Sequence, residues 1–527
     1  MIDRDLVLPP AVAARATDMP ETAAIVDIAG GSLTWAGLHD EIMRWAGACQ
    51  ALGIGRGDTV VTMLPNSVEA YLAWLGIAWL HAIEVPANNM YLGETLLHIL
   101  EDSQAETLVI SERFVDRLSG VADRTTCLRT VVVPDARGDL PALPYRLVRG
   151  AEFLAAPAAE GLAGPDYHDV SALIYTSGTT GPSKGVLAPW AELHQAPEVM
   201  PPDLIAPGDP YYSVYPAFHL SGKIALYIAA VKRGSLLLRE TFSVAEFWND
   251  MRAHNVRAAG LVGPMASFLM AMPETDTDAD NPVEKVVMGP IIPNIEDFKK
   301  RFGIDRVATG YGMTEIGFPL VSGWNPPNPR TCGKRREGAP HYEVRVVDDH
   351  DETVPKGTPG ELVVRSGDPW VLNRGYWRQP EKTAESWRNG WWHTGDVFVE
   401  DDEGWLYFVD RKKDALRRRG ENISSFEVEA GIAAHPDVLE VGVVGVPSEH
   451  GEDEVKAVVV RAAGSELTEP DLIEWLVPRM PRFMIPRYVE FATGLPKTDG
   501  TFRTQKFVLR EAGVTATTWD REAQAER

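Results

Sequence analysis

The stretch YTSGTTGPSKG, from Tyr175 to Gly185, decides the fold class because it directly follows the apolar run SALI. A short apolar run bounded by turn residues is typical of a buried strand. The glycines that follow let backbone N–H groups turn toward an anion, the hydroxyl residues add donors, and Lys184 adds a mobile positive charge. The pattern therefore predicts a strand followed by a loop that binds a polyphosphate.

This loop differs from the phosphate-binding pattern GxxxxGK[ST]. Ser183 occupies the position that requires glycine before Lys184, and Gly185 follows the lysine. We therefore expect a nucleotide site of another kind. Its candidate contacts are Thr176, Ser177, Gly178, Thr179, Thr180, Gly181 and Lys184.

Length and charge restrict the class of protein further. The chain has 527 residues, and its 51 basic and 75 acidic side chains give a net charge of −24 at pH 7. This acidity excludes a nucleic-acid binder that relies on bulk charge. The 45% of hydrophobic residues is typical of a globular protein, and the length exceeds what one hydrophobic core serves, so two or more domains are expected.

Hydrophobic patterning predicts how those domains are built. Up to about residue 400, apolar runs such as DTVVTML and ETLVIS alternate with helical stretches such as AEFWNDMRAH, which predicts layered α/β subdomains on parallel strands. The final hundred or so residues predict a small α+β domain, with a helix near 468–476. The charged, non-periodic segment DRKKD separates the two patterns. The predicted organisation is a large N-terminal domain at 1–409, a hinge at 410–414 and a C-terminal domain at 415–527.

Cysteine content and the first residues favour a cytoplasmic protein. The three cysteines are too few for a disulfide framework, and MIDRDLVLPP lacks the basic stretch and apolar run of a signal peptide. The most apolar segment, at 68–83, is too short to span a bilayer and predicts a buried helix. Asn66 and Glu69 predict a capping box at its start.

The segment at 175–185 resembles the phosphate-loop signature of the adenylate-forming superfamily, which includes acyl-CoA synthetases, peptide-synthetase adenylation domains and luciferases. Other segments resemble further signatures of that family in the same order: PAFHLSG from Pro216, GYGMTE from Gly310, GELVVRSG from Gly360, GYW from Gly375, GWWHTGD from Gly390, DRKKDALRRRGENISSFEVE from Asp410, VGVP from Val444 and LPKT from Leu495. The resemblance covers nearly the whole chain, and RRRGENISSFEVE and FHLSG are most similar to the crotonobetaine/carnitine-CoA ligase group. It implies an AMP-forming acyl-CoA ligase whose C-terminal domain moves as a lid.

The resemblance also implies roles for individual residues. Glu315 would hold Mg²⁺, a hard ion that prefers carboxylate and phosphate oxygens. Thr314 would donate to the α-phosphate, Tyr311 would lie against adenine, and Asp396 would bind the ribose hydroxyls with Arg411. The remaining predicted contacts of ATP and coenzyme A are Gly289, Pro290, Gly310, Gly312, Phe408, Lys413, Arg418, Arg419 and Gly420.

Several of these predicted contacts lie in the basic run at 411–419. In a protein of net charge −24, this local reversal favours a polyanionic ligand. Arg418 and Arg419 are expected to meet the phosphates of coenzyme A in paired hydrogen bonds. Lys413 corresponds to the hinge residue of the family, and Gly420 to the loop that lines the thiol tunnel.

The acyl side of the site is predicted from the same resemblance. His219, in PAFHLSG, corresponds to an aromatic gate that closes the acceptor channel during adenylation and swings aside for the thiol. The predicted wall of the acyl pocket consists of His219, Gly222, Val262, Gly263 and Phe318.

The sequence departs from the family at two places. Relatives carry a catalytic lysine in a PxxxGK stretch near the C-terminus, whereas here Thr501 follows Gly500. Aligning TQKFVLR instead places Arg503 at the catalytic position, with Lys506 and Lys497 as alternatives; Arg keeps the cation but changes its shape and reach. Past the phosphate loop, KGVLAPW has Pro and Trp where relatives often have a hydroxyl residue and histidine, which predicts altered packing there. The predicted catalytic groups are Arg503, Glu315, Thr176, Lys184, His219 and Lys506.

The expected reaction uses ATP, Mg²⁺ and coenzyme A with a small carboxylic acid, and involves no nucleic acid and no membrane span; a homodimer is compatible with the sequence. Two related alternatives stay open: an amide ligase in which an amine captures the adenylate, and an enzyme that loads a separate carrier protein. A third, suggested by the missing lysine after Gly500, is a nucleotide-binding protein with little catalysis.

Overall fold

The computed structural model describes residues 7–176, 183–338, 341–412, 416–418, 421–447, 453–498 and 503–525. The chain divides into two units. The larger comprises Met1–Val344 and Val364–Trp392, and the smaller comprises Arg345–Val363 and His393–Arg527.

The helices alternate with strands over most of the chain. They are α1 (Leu8–Asp18), α2 (Trp35–Ala51), α3 (Val68–Trp79), α4 (Gly93–Asp102), α5 (Gly150–Phe153), α6 (Trp190–Val199), α7 (Leu220–Lys232), α8 (Phe247–Ala253), α9 (Gly263–Met270), α10 (Ile295–Phe302), α11 (Pro380–Ser386), α12 (Ser425–Ala433), α13 (Glu469–Leu476), α14 (Lys506–Ala512) and α15 (Arg521–Ala525). Short 3₁₀ turns occur at Glu112–Gly120, Ala122–Arg124 and Arg388–Gly390.

The strands carry most of the apolar runs seen in the sequence. They are β1 (Ala23–Asp27), β2 (Ser32–Thr34), β3 (Thr59–Met63), β4 (Ile83–Pro86), β5 (Thr107–Ile110), β6 (Thr130–Val133), β7 (Arg146–Arg149), β8 (Val170–Thr176), β9 (Lys184–Pro189), β10 (Pro210–Ser213), β11 (Ser235–Leu238), β12 (Ala258–Val262), β13 (Lys285–Gly289), β14 (Arg306–Met313), β15 (Gly317–Trp324), β16 (Thr331–Arg335), β17 (Tyr342–Val347), β18 (Gly360–Ser366), β19 (Trp392–Glu400), β20 (Trp405–Arg411), β21 (Leu416–Arg418), β22 (Glu421–Ile423), β23 (Val438–Pro447), β24 (Asp453–Arg461), β25 (Tyr488–Ala492) and β26 (Trp519–Asp520).

Two sheets organise the larger unit. One has the strand order β7-β6-β5-β3-β4-β8-β9, and its strands are parallel except for the last, β9. The other runs β16-β15-β14-β13-β12-β10-β11-β1-β2 and is parallel from β14 to β1. Helices cover these strands, and most of their Val, Ile and Leu side chains are buried.

The smaller unit is built on antiparallel and mixed pairing. β19 pairs with β20, β21 with β22, and β23-β24-β25-β26 form a four-stranded sheet. Its main hydrophobic core joins α12 and α13 to this sheet. The layered α/β architecture with a small α+β domain, as predicted from the sequence, is therefore confirmed.

Local predictions fare differently. The helix near 468–476 is α13, and Thr468 caps it as part of a capping box with Asp471. The buried helix at 68–83 is α3, but its capping box is wrong: Ser67 is the N-cap, while the Asn66 side-chain amide donates to the carbonyl of Arg239 at 3.0 Å. Because the N-cap is Ser67, Asn66 stands one residue before the position from which its side-chain oxygen would cap the helix.

The predicted hinge at 410–414 begins inside a strand. Asp410 and Arg411 are the last two residues of β20, and 413–414 lie outside the described residues. The division into units assigns 393–412 to the smaller unit. Rotation about 410–414 stays a prediction. No helix in the described ranges is long and apolar enough to cross a membrane.

Candidate active site

The predicted phosphate loop connects two antiparallel strands. Thr176 ends β8 at the carboxyl edge of a largely parallel sheet and is the register partner of Lys184, the first residue of β9. The carboxyl ends of parallel strands are where α/β proteins bind ligands. Ser177, Gly178, Thr179, Thr180 and Gly181 lie between these strands and outside the described residues.

The GYW segment packs against the strand that follows this loop. Tyr376 forms a bridge with Val186, and Trp377 donates its N–H to the carbonyl of Gly185 at 2.7 Å. The ammonium of Lys184 lies 5.2 Å from the centre of the Tyr376 ring, within range of a cation–π interaction. Residues separated by almost two hundred positions thus meet at one edge of the sheet.

Glu315 lies in the turn between β14 and β15 and is brought to the same place. Its side-chain oxygen Oε1 accepts a hydrogen bond from the Tyr376 hydroxyl at 3.1 Å. Its carbonyl accepts from the Asn373 side-chain amide at 2.5 Å. Only 7% of the residue is exposed. Burial, followed by the negative charge of Glu315, raises the pKa of Tyr376, so this hydroxyl stays a donor at neutral pH.

A second buried carboxyl group stands beside Glu315, and the sequence did not single it out. Glu192, on α6, is 1% exposed and accepts from the Gly317 N–H at 3.0 Å. Its other oxygen, Oε2, has no hydrogen-bond partner among the residues that the structure describes. Burial, and then repulsion from Glu315, raise the pKa of Glu192 well above its ordinary value.

The unusual residues before Glu192 serve packing. Trp190 is fully buried and stacks on Trp74, with ring centres 5.2 Å apart. The only sequence signal for Glu192 is its position two residues beyond this departure from the family pattern.

The adenine-side residues gather at the ends of parallel strands. Val262 is the register partner of Gly289, and a side-chain carbon at Gly263 would lie 2.9 Å from the carbonyl oxygen of Pro290. Val262 and Gly263, predicted for the acyl wall, therefore adjoin Gly289 and Pro290, predicted for adenine.

The glycines of GYGMTE have a structural reason. A side-chain carbon at Gly310 would lie 2.8 Å from the Leu320 carbonyl oxygen, and one at Gly312 would meet the Phe318 ring at 3.0 Å. Close pairing of β14 with β15 thus requires glycine at both positions, independently of any nucleotide. Tyr311 and Thr314, between and after these glycines, are partly exposed.

His219 begins the helix on the acyl side. It is the N-cap residue of α7, and its ring lies 4.7 Å from that of Phe218. A side chain at Gly222 would overlap the carbonyl of Pro216, and the Gly222 carbonyl accepts from the Tyr71 hydroxyl at 3.0 Å. Gly222 therefore allows α7 to pack on the segment that carries His219.

The predicted ribose site lies in the smaller unit. Asp396 on β19 is the register partner of Arg411 on β20, and Arg411 Nε is 3.4 Å from Asp396 Oδ1. Phe408 contacts Phe398 and Phe426, each at 5.7 Å between ring centres. The strand β20, which pairs with the strand of Asp396, therefore carries an aromatic cluster around Phe408, three residues before Arg411.

Arg418, a predicted contact of coenzyme A, lies in a buried ion pair. Its side chain is 2% exposed, and Nε lies 2.6 Å from the Glu454 carboxylate. Its Nη1 also donates to the carbonyls of Phe483 and Ile485. Arg418 thus directs Nε and Nη1 at protein groups, and its contact with coenzyme A stays a prediction. Lys413, Arg419 and Gly420 lie outside the described residues.

The three candidate cations near the C-terminus differ in their surroundings. Lys497 Nζ is 2.7 Å from the Glu440 carboxylate. Lys506 Nζ is 2.9 Å from the Glu429 carboxylate and donates to the Ser425 hydroxyl at 2.6 Å. Arg503, by contrast, is exposed. Both lysines therefore contribute to ion pairs of the smaller unit.

The described residues suit Mg²⁺ as well as ATP. No group of three or more His, Cys, Asp or Glu side chains in the described ranges is arranged to hold a metal ion by itself. Glu315 supplies one hard carboxylate beside a phosphate loop, and Mg²⁺ usually takes its other oxygens from phosphates and water. The fold and the grouping of Lys184, Tyr376 and Glu315 are those expected of an enzyme that acts on a nucleoside triphosphate.

Comparison with known proteins specifies the family. Residues 12–377 match the model described as AMP-binding enzyme, and residues 427–500 match AMP-binding enzyme C-terminal domain. The chain therefore belongs to the AMP-binding enzyme family. Its predicted place in the adenylate-forming superfamily, in the acyl-CoA synthetase branch of AMP-forming ligases, is confirmed.

Named relatives extend over nearly the whole chain. A crotonobetaine/carnitine–CoA ligase of Salmonella enteritidis is 31% identical, covering 90% of this chain and 93% of its own. The structure of ATP-bound MatB from Rhodopseudomonas palustris is similar with a TM-score of 0.82 at 26% identity, covering 96% of this chain and 98% of that one. The anthranilate CoA ligase AuaEII shares the fold, with a TM-score of 0.84 at 24% identity and coverage of 95% and 96%.

Proposed function

We propose that this protein joins a carboxylic acid to coenzyme A in two steps through an acyl adenylate. The observation that carries the proposal is the meeting of Lys184, Tyr376 and Glu315 beside the predicted phosphate loop. This edge of the sheet offers a cation to a triphosphate and, for its Mg²⁺, a carboxylate that the Tyr376 hydroxyl orients. The names of the relatives, which include several CoA ligases, support the same reaction.

In the first step, a carboxylate oxygen of the acid attacks the α-phosphorus of ATP, the bond to the bridging oxygen breaks, and pyrophosphate leaves. Two anions approach while charge builds on the phosphorus, so positioned cations and donors must offset their repulsion. Thr176 and Lys184 act on the phosphates in this proposal, and Glu315 would hold Mg²⁺, which neutralises phosphate charge. Arg503 acts as the cation between the acid and the α-phosphate; its exposure supports this choice.

In the second step, the thiolate of coenzyme A attacks the acyl carbonyl, the acyl–phosphate bond breaks and AMP leaves. The adenylate is already an activated mixed anhydride, so this step needs positioning of the thiolate more than further activation. His219 is proposed as the gate to the thiol channel. Asp396 and Arg411 bind the ribose in the proposal, which their pairing across β19 and β20 supports.

The proposal also specifies the acids to test, the cellular location and the oligomeric state. The relatives make crotonobetaine and carnitine the first acids to test. Three free cysteines are consistent with a cytoplasmic enzyme. It acts as a monomer or a homodimer on small molecules.

The test is pyrophosphate release from ATP and Mg²⁺ over crotonobetaine, carnitine and a panel of short, medium, long, aromatic and polycyclic acids, with and without coenzyme A. We expect one class of acid to cause release of pyrophosphate from ATP. The thioester of that acid, detected by mass spectrometry, should form only when coenzyme A is present. An amide product with an added amine, or an acylated carrier protein, would redirect the proposal to the corresponding acceptor. Production of ADP, or a rate of pyrophosphate release that none of the acids changes, would overturn the proposed function.

A variant links this activity to the site. Glu315→Gln should lower pyrophosphate release by about 100-fold or more, since a charge lost at the transition state costs about 3 kcal/mol. Glu343→Gln, which removes one exposed partner of Arg365, is the matched control and should keep full activity. Unchanged turnover of Glu315→Gln would remove Glu315 from the site.

A further inference from the structure

Three consecutive residues around Glu315 are each anchored by a different element of the larger unit. Asn373 donates its side-chain amide to the Glu315 carbonyl at 2.5 Å. The Tyr342 hydroxyl donates to the Ile316 carbonyl at 3.0 Å. The Gly317 N–H donates to the Glu192 carboxyl at 3.0 Å. The turn that carries Glu315 is therefore held by side chains, each of which reaches in from elsewhere in the sequence.

The contact of Glu192 is sterically tight. Gly317 has φ of +62°, in the left-handed region, and a side-chain carbon built on it would lie 2.9 Å from the Tyr342 hydroxyl oxygen and 3.6 Å from Glu192 Cγ. The turn thus has little room to shift toward either neighbour. A change in the Glu192 side chain is expected to move Gly317, and with it Glu315, two residues earlier.

We propose that Glu192 is a positioning residue for Glu315: by accepting the Gly317 N–H, it fixes the turn so that the Glu315 carboxylate faces the metal–triphosphate. This inference deepens the proposed function and rests on it. Glu192 acts through the turn and needs no contact with the substrate.

The chemistry of Glu192 defines the informative substitutions. The Gly317 N–H needs one acceptor oxygen from this side chain. Glutamine is a close isostere, because it keeps a carbonyl oxygen in reach of Gly317. Alanine removes the acceptor and leaves a buried N–H without a partner, while aspartate keeps the carboxyl but withdraws it by one methylene.

The experiment compares Glu192→Gln, Glu192→Ala and Glu192→Asp with wild type and with the control Glu198→Gln, which alters an exposed carboxylate on the same helix. Acid-dependent pyrophosphate release is measured against Mg²⁺ concentration. Thioester formation from supplied acyl-AMP is measured separately. Binding of Mn²⁺ in the presence of a non-hydrolysable ATP analogue, followed by electron paramagnetic resonance, gives a readout that does not depend on turnover.

We expect Glu192→Ala to lower kcat of adenylation at least 10-fold and to weaken Mn²⁺ binding several-fold, with KM for the acid unchanged and the second step intact. Glu192→Gln should stay within about threefold of wild type in every measurement, as should Glu198→Gln. If the alanine variant does not fold, Glu192→Asp carries the test, with a several-fold loss in kcat and in Mn²⁺ binding expected of it.

Three results would overturn the proposal: wild-type Mn²⁺ binding and kcat in Glu192→Ala or in Glu192→Asp, equal losses in both half-reactions, or a glutamine variant as impaired as the alanine variant. Failure of the proposed function is distinct, because then the wild-type protein itself shows no acid-dependent pyrophosphate release.

Discussion

A buried ion pair in the larger unit gives the sharpest prediction about stability. Glu84 on β4 and Lys223 on α7 are 2% and 1% exposed, and the Lys223 ammonium donates to Glu84 Oε2. The Thr62 hydroxyl donates to the other oxygen at 2.8 Å, and the ammonium lies 4.2 Å from the centre of the Trp74 ring. Burial raises the pKa of Glu84 and lowers that of Lys223. Keeping both groups charged in the interior therefore costs considerable desolvation free energy.

In Glu84→Gln, the group that faces the Lys223 ammonium is either the amide NH₂, which is itself a donor, or the amide oxygen, which accepts but carries no charge. The buried cation then loses its counter-charge, and we expect the free energy of unfolding to fall by about 3–5 kcal/mol. Lys223→Met removes the cation instead and leaves a carboxyl that burial already favours as neutral. The double variant, Glu84→Gln with Lys223→Met, should be at least about 2 kcal/mol more stable than the sum of the single losses implies.

The assay is chemical unfolding of the four proteins, followed by tryptophan fluorescence, because the Trp74 ring lies directly beside the ammonium. A control is Arg113→Gln, which removes one partner of an exposed ion pair with Glu240 and should change stability by less than about 1 kcal/mol. A loss below about 1 kcal/mol for Glu84→Gln, or strictly additive losses in the double variant, would refute the reasoning. The same helix begins at the predicted gate, His219, so the variants also test whether this core supports the acyl side.

The remaining predictions concern the smaller unit. Arg503→Ala should depress acyl-AMP formation by about 100-fold while sparing thioester formation from supplied acyl-AMP, and Arg503→Lys should restore much of the loss; equal losses in both steps would contradict its assignment. Asp396→Asn should raise KM for ATP about tenfold with little change in KM for the acid, because a charge-assisted hydrogen bond to the ribose is weakened, and an unchanged KM for ATP would exclude the ribose role. Burial tends to raise the pKa of Glu490, but hydrogen bonds from Lys456 and neighbouring threonines lower it to about 2. Its folded pKa is thus below the ordinary 4.5, and its stabilisation, about 1–2 kcal/mol after allowance for solvent screening, is present above that pH and lost as pH falls toward 2. Thermal unfolding of wild type and Glu490→Gln at pH 7, 5 and 3 should therefore show a difference that narrows with acidity, and a constant difference would argue against it.

The sequence predicted the fold class because local patterns determine it. Apolar runs of strand length followed by turn residues correspond to β3, β5 and β8, and the phosphate loop follows β8 as expected. These features depend on neighbours in the chain, which a single sequence displays directly.

The features that the sequence did not predict depend on tertiary contacts. The carboxyl of Glu192 and the hydroxyl of Tyr376 meet the turn of Glu315 only after strands far apart in sequence have paired. Charge alone also did not reveal the surroundings of Arg418: a basic run predicted a polyanion site, and the structure adds an ion pair of Arg418 with Glu454 on β24. Whether a charged side chain faces solvent or a buried partner is decided by packing, which composition does not report.

The bridge between Tyr376 and Val186 sets a minimum length for a truncated form of this enzyme. A fragment that stops short of residues 373–377 would expose the edge of β9, the strand that begins at Lys184, with carbonyls and N–H groups of that edge unpaired. The same cut would strip Glu315 of two of its hydrogen-bond donors. A shortened protein intended to retain ATP binding must therefore extend past Trp377, however complete its first sheet looks without it.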